Sequence, residues 1–402
     1  MDLQSGAEWG VRLFMGREPT ADDRRLALGC DGPEALRSRL LGTDEVRHWS
    51  RFVGRNGVRA ERCDLDYEEG VRWAYRLALR REPTEDDVKV HAPHVTSPAD
   101  LRRVLTSHEF RAASPDAIHL ADAHVLRQFA PFCTEAPPAG SYANFIGAMT
   151  RTEFLHPDLA WKAGTIEDVP SDENPTLHGI AEWIGSLRSV LEAGERFVAI
   201  ELGAGWAPWL VATALAARRR GVADISLTGV EGSADHHAWM RTHFTDNGLN
   251  PDEHALLHAV VGAEDGEAFF PKLHDPVLDY GANAVFNDDE REAAVVRGAL
   301  ERVECVGLPG LLQRTGRVDL LHMDIQGHER AVLEASMSEM TQYVRRAVIG
   351  THSRMNDAVL FDLFVANGWS LEYEKPTALV QNPDGSLHFP VDGEQVWRND
   401  RV

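Results

Sequence analysis

Cysteine is scarce in this 402-residue chain: Cys30, Cys63, Cys133 and Cys305 stand far apart. No C-x-x-C pair exists, which argues against a zinc ribbon or a thioredoxin-like site. Positive charge is also short. Lys and Arg number 41 against 63 Asp and Glu, a net charge of −22. A surface of that sign repels phosphate backbones and anionic lipid, so no nucleic-acid partner is expected. The densest basic run, Arg218-Arg219-Arg220, reads as a solvated helix C-terminus that complements the helix dipole. No run of about 18 apolar residues occurs, so no membrane span is expected. Met1 to Arg12 is polar and mixed rather than a secretory leader, and the expectation is a cytoplasmic protein with reduced thiols.

What is present begins with a repeat. Trp9, Arg12 and Arg17-Glu18-Pro19-Thr20 return 64 residues later as Trp73, Arg76 and Arg81-Glu82-Pro83-Thr84. Glu45-Val46-Arg47 likewise pairs with Glu109-Phe110-Arg111. Trp9, Leu13 and Phe14 have helical spacing, as do Leu36, Leu40 and Leu41. Thr20 with Asp23 has the form of a capped helix start. We expect an all-helical domain of two repeats over 1–128, serving docking or dimerisation rather than chemistry. The pattern resembles the DUF4214-like helical modules, which implies attachment to a glycan-acting or surface-associated enzyme. Residues 129–177, rich in Pro, Gly and aromatics, read as a linker or lid, with Tyr142, Arg151 and Trp161 as candidate pocket residues.

Over 178–402 apolar strands alternate with amphipathic helices. Candidate strands are Phe197–Leu202, Ser226–Glu231, His254–Val261, Val303–Val306, Val318–Asp324, Ala347–His352 and Trp369–Tyr373. Such alternation implies an α/β, doubly wound parallel sheet that binds ligand at the strand carboxyl ends. The strongest motif is Glu201-Leu202-Gly203-Ala204-Gly205-Trp206-Ala207-Pro208, a buried strand ending in an acid, then a glycine turn into a helix. Glycine lets backbone approach a ligand closely. Pro208 occupies the third glycine position of a dinucleotide fingerprint, and Glu201 would repel a pyrophosphate. The same acid suits the cationic sulfonium and ammonium groups of S-adenosylmethionine (SAM). Glu231, followed by Gly232 at the second strand end, has the placement to accept ribose hydroxyl protons. The third strand end, His258-Ala259-Val260-Val261, is expected near the adenine.

Together, Glu201 to Gly205, Val230-Glu231, the segment through Asp265-Gly266, His322-Met323-Asp324-Ile325-Gln326-Gly327-His328-Glu329 and Ile349 to His352 resemble the FkbM family of SAM-dependent methyltransferases. The resemblance spans roughly 180–375. It implies a class I methyltransferase Rossmann-like domain, with the small all-α repeat domain ahead of it. It also implies methyl transfer to a hydroxyl of a sugar, glycan or natural product. Gln326 stands where that family usually has Glu, and Ala207 where many members have a third glycine, which implies a slightly wider turn.

The expected cofactor-binding set is Glu201, Gly203, Ala204, Gly205, Trp206, Glu231, Gly232, Ala259 and Asp324. The expected catalytic set is Asp324, His352 and His322. His352 is the candidate general base, oriented or charge-balanced by Asp324, because imidazole is matched to proton transfer near neutral pH. His322 precedes Asp324 by two residues and shares its strand face. A divalent metal held by His322, Asp324, Glu329 and His352 is a weaker reading, since no close-spaced ligand motif such as H-x-x-x-H supports it. Two other functions remain: a nicotinamide-dependent oxidoreductase, which Glu201 and Pro208 disfavour, and an inactive interaction protein, which the intact acidic strand ends disfavour.

Overall fold

A computed structural model describes residues 2–15, 18–41, 65–77, 79, 81–95, 125, 126, 128, 129, 136–170, 177–285, 299–381 and 387–402. The chain divides into two compact units, Met1–Gln128 and Phe129–Val402.

In the first unit, helices α1 (Leu3–Gly10), α2 (Pro33–Leu41), α3 (Tyr67–Leu77) and α4 (Glu85–His91) surround a core of Trp9, Leu13, Leu36, Leu40, Val71 and Trp73. The repeat is built twice in one geometry. Arg12 lies over the Trp9 ring and donates to Glu18 at 3.1 Å; Arg76 lies over Trp73 and donates to Glu82 at 3.0 Å. Thr20 N–H donates to Asp23 at 2.6 Å, and Thr84 N–H to Asp87 at 2.7 Å. Thr84 completes a capping box at the start of α4. The later pair, Glu45-Val46-Arg47 and Glu109-Phe110-Arg111, lies outside the described residues, as do Cys63, Cys133 and the side chains of Phe14 and Leu41.

The second unit opens with a small hairpin, β1 (Ser141–Ala143) and β2 (Met149–Arg151). It then follows α5 (Ile180–Leu191), β3 (Arg196–Leu202), α6 (Pro208–Arg219), β4 (Asp224–Glu231), α7 (Ala234–Asp246), β5 (Ala255–Gly262), β6 (Gly266–Pro271) and β7 (Leu300–Gly307). After these come α8 (Leu308–Thr315), β8 (Leu320–Met323), α9 (Glu329–Tyr343), β9 (Arg346–Thr351), α10 (Arg354–Ala366) and β10 (Ser370–Lys375). A short pair, β11 (Ala378–Gln381) and β12 (Leu387–Val391), precedes the last strand, β13 (Gly393–Arg398).

Nine strands form one sheet in the order β10-β13-β9-β8-β3-β4-β5-β7-β6. The centre is parallel, from β9 through β7, while β6 and β13 run antiparallel to their neighbours. A parallel centre with an antiparallel strand slotted between β9 and β10 is the class I methyltransferase Rossmann-like arrangement. The alternation expected for the strands is present, but the sheet is mixed rather than wholly parallel. Phe269 and Phe270 lie in β6.

Side chains alternate across β3. Val198, Ile200 and Leu202 join one core with Val332, Leu333, Leu360 and Phe364 of α9 and α10. Glu201 points to the opposite face, toward α6. The chain order reverses between β3 and β8, and the loops at their carboxyl ends face one another. Gly203, at φ +71°, closes that gap: a Cβ there would run into the carbonyl oxygen of Asp324.

Candidate active site

A cavity of about 250 Å³ opens where β3 and β8 diverge. Its wall includes the whole expected cofactor set: Glu201, Gly203, Ala204, Gly205, Trp206, Glu231, Gly232, Ala259 and Asp324. His322, Gln326 and His328 also line it, as do Phe270, Asp279 and Tyr280. His352 and His258 do not line it; His258 Nε2 lies 3.1 Å from the Gly232 carbonyl instead.

The two acids of the first motifs are held by backbone. Glu201 is buried, and its carboxylate accepts from the N–H of Leu210 at 2.9 Å and of Trp209 at 3.4 Å. Both belong to the first turn of α6, where N–H groups lack helical partners. Burial pushes Glu201 up to about 7, against the opposing pull of His322 and these N–H groups. Its acid therefore has a structural duty in addition to facing the cavity. Glu231 accepts from Gly205 N–H at 2.8 Å and Ser233 N–H at 2.7 Å, which ties the glycine turn to the end of β4. Ala207 carries φ +58°, a left-handed turn that glycine would adopt without strain. The alanine has taken the conformation natural to glycine.

Strand β8 delivers the next groups. His322 sits beside Glu201 in the β3–β8 register and is buried. Its Nε2 lies 3.0 Å from Oε1 of Glu182 on α5, a partner 140 residues upstream. Burial opposes charge on this ring, but the Glu182 contact and the surrounding carboxylates outweigh it and raise His322 above its ordinary value. Glu182 moves correspondingly down.

Asp324 follows β8. Its Oδ1 accepts from Gln326 Nε2 at 2.8 Å and lies 3.2 Å from His352 Nε2. Gln326 reaches it from a left-handed backbone at φ +55°. The other His352 nitrogen, Nδ1, lies 2.9 Å from Oε1 of Glu329. Glu329, wholly buried at the start of α9, also accepts from the N–H groups of Ile325 and Gly327 and from Asn356.

This geometry bears on the general-base expectation for His352. Burial disfavours its charge, but the two flanking carboxylates overcome that and push the ring up to about 10. An imidazolium with a carboxylate at each nitrogen has no lone pair to accept a proton near pH 7. Its chemical effect is on Asp324: burial would raise that carboxyl, but the His352 contact and charge hold it below the ordinary range, as an anion.

Asp324, Glu329 and His352 bring potential metal-ligand atoms within 4.8 Å of one another. The Glu329 oxygens are already filled by backbone and Asn356 donors, and His322 points away to Glu182. That donor set fits an ion-paired imidazolium better than a metal.

The proposed lid residues do not line the cavity. Tyr142 is buried, Arg151 pairs with Asp246 at 2.6 Å, and Trp161 is exposed. The same segment supports the wall indirectly: Tyr142, Phe154 and Leu155 pack on Trp206, and Tyr280 Oη donates to the Phe154 carbonyl at 2.6 Å. Glu182 was missed because an acid at the third position of a helix reads as a cap. It does cap, accepting from Gly179 N–H at 2.9 Å, and nothing local in sequence tells of its second oxygen.

No protein-family model matches the chain. A protein of Jannaschia sp. (strain CCS1) named "Putative methyltransferase" is 33% identical over 277 residues, covering 68% of this chain and 97% of that protein. Among solved structures, a precorrin-6y C5,15-methyltransferase from Geobacter metallireducens GS-15 is 9% identical with a TM-score of 0.31, covering 56% of this chain and 89% of that one. A methyltransferase FkbM from Methylobacillus flagellatus KT is 8% identical with a TM-score of 0.31, covering 55% and 54%. At those scores neither structure bears on function, and the fold rests on strand order. By its relationship to the Jannaschia protein, the chain belongs to the methyltransferases.

Proposed function

We propose that the protein is a SAM-dependent O-methyltransferase of FkbM-like type, acting on a hydroxyl of a sugar, glycan or natural product. The observation that carries this reading is the cavity's charge. Glu182, Glu201, Glu231, Asp279 and Asp324 line it, and among the described residues no Lys or Arg does. A site of that sign suits a sulfonium nucleoside and disfavours a diphosphate. The residues fit the cofactor: Glu231 suits ribose hydroxyls, Asp324 the cationic groups, and Ala259, Val260 and Phe270 offer an apolar wall for a flat base. When bound, SAM supplies an electrophilic methyl group.

The chain's own contribution is orientation and charge. The Gly203–Gly205 turn lets backbone approach a ligand, and Glu231 fixes that turn. Asp324, kept anionic by His352, is the proton acceptor in this reading. A weakly basic carboxylate suffices, because a hydroxyl becomes strongly acidic as its oxygen forms the new bond, so proton transfer follows attack. The acidic surface favours a small-molecule or glycan acceptor over nucleic acid. Residues 1–128 act as a docking module.

Calorimetric titration of the full chain with SAM and with NADH tests this. The expected result is binding of SAM alone, followed by methyl transfer to a sugar in an acceptor panel. Binding of NADH alone would replace the reading with an oxidoreductase.

A further inference from the structure

The cavity is small for a ligand site. Its volume of about 250 Å³ lies below the roughly 300–1,000 Å³ of pockets that take small molecules. A nucleoside with an amino-acid tail fits such a space tightly, so exchange asks part of the wall to move. The strand ends move only at high cost. Glu201, His322 and Ala259 sit in ladders that run without a break from β8 through β3, β4 and β5 to β7.

The rest of the wall includes residues 272–285, which follow β6 and contribute Asp279, Tyr280, Ala282 and Ala284. This segment crosses the switch point. Tyr280 Cε1 lies 3.7 Å from where a Cβ on Gly205 would stand, and Gln326 Oε1 lies 3.7 Å from the same point on Gly281. The segment therefore touches both the glycine turn after β3 and the loop after β8.

Its two ends are tied by backbone. Lys272 N–H donates to the Ala299 carbonyl at 2.9 Å, and Val285 N–H to that of Phe269 at 2.8 Å. Its middle is turned on itself, with the N–H groups of Leu278 and Asp279 donating to the Asp275 carbonyl. Among the described residues, two side chains fasten that middle to the rest of the unit. Tyr280 Oη donates to the Phe154 carbonyl at 2.6 Å, and His236 Nε2 donates to the Pro276 carbonyl at 2.8 Å. The Tyr280 ring stacks on His236, with centroids 4.4 Å apart, and meets Trp206 edge-on. Burial pushes the Tyr280 hydroxyl above its ordinary range, so it stays a donor. Fixed ends and a sparsely fastened middle are the conditions for local opening.

We propose that residues 272–285 form a strap that opens to exchange the cofactor, and that Tyr280 is its latch. The proposal rests on the SAM reading and deepens it, by naming what governs passage into that site. Tyr280 is a positioning residue: its hydroxyl bonds protein, and it acts on the ligand through the strap. The same bond closes the strap over an empty cavity and over a filled one, so it slows entry and departure alike. Breaking it raises the open fraction in both states and leaves affinity nearly unchanged.

Stopped-flow tryptophan fluorescence of the full chain with S-adenosylhomocysteine tests this. Tyr280→Phe keeps the ring packing and removes the Oη donor. His236→Phe keeps a flat ring against Tyr280 and removes the tie to Pro276. Thermal melts check that each variant folds, and should Tyr280→Phe fail to fold, His236→Phe decides by the same criteria. The expected result is a rise of roughly 3- to 10-fold in both the association and the dissociation rate constant, the range of one net hydrogen bond. Kd should stay within about twofold, since both rates move together. Faster dissociation with unchanged association would make the side chain a ligand contact rather than a latch, and overturns the proposal. Wild-type rates in the variants overturn it too. Both of these outcomes leave the SAM reading intact, whereas a wild type that binds no S-adenosylhomocysteine overturns both.

Discussion

The two units satisfy their polar groups in different ways. In the repeat unit the pairings that recur in both copies are local: Arg12 with Glu18, Thr20 with Asp23, and the same pairs again at Arg76 and Thr84. In the second unit they are long-range: His322 with Glu182, 140 residues apart, and Val198 N–H with Asp319, 121 apart. The buried orphan atoms among the described residues, Trp206 Nε1 and His322 Nδ1 among them, all belong to the second unit. Among the described residues, then, the polar groups left open are those of the sheet-bearing unit.

The largest test of that contrast is Gly203→Ala. Its Cβ would meet the Asp324 carbonyl from a left-handed backbone. The expected destabilisation of the second unit is about 3 kcal/mol or more, from strain plus overpacking. Urea unfolding followed by tryptophan fluorescence measures it, and wild-type stability would mean the two loops are not in contact.

Next is the pH dependence at His352. Its folded value, about 10, exceeds the ordinary 6.5, so its contribution to stability is fully present below pH 6.5 and drains away as pH rises through 10. His352→Gln should therefore lower the unfolding free energy most at about pH 6, with the gap to wild type narrowing steadily as pH rises toward 10. A gap that widens with pH would show the ring neutral in the fold.

The smallest effect belongs to the repeat unit. Thr84→Ala removes the cap of α4 and should cost about 1 kcal/mol. Cofactor affinity, measured in the same titration as above, should not move. A change in affinity would dissolve the distinction between the self-contained unit and the open one.

Much of this was legible in the chain itself. Strand cores such as Phe197 to Leu202 are continuous apolar runs, and Glu201, Glu231 and Asp324 mark their ends, so periodicity located the cavity. The repeat was legible because its pairings are local. What periodicity could not reveal is order across the sheet: β13 slots between β9 and β10 from the far end of the second unit, and no local signal encodes that. Nor could it reveal that Glu329 takes the second nitrogen of His352, which turns an apparent base into a fixed cation. Glu201 shows a further limit. An acid beside glycines points toward a ligand, yet part of its role is to close the first turn of α6.

One contact in the repeat unit has a consequence of its own. Ser5 Oγ donates to Glu69 at 2.7 Å, and these are the same position in the two copies, 64 residues apart. The core beneath that contact holds Trp9 of one copy and Trp73 of the other, so a single copy on its own would leave open the apolar face that its twin now covers.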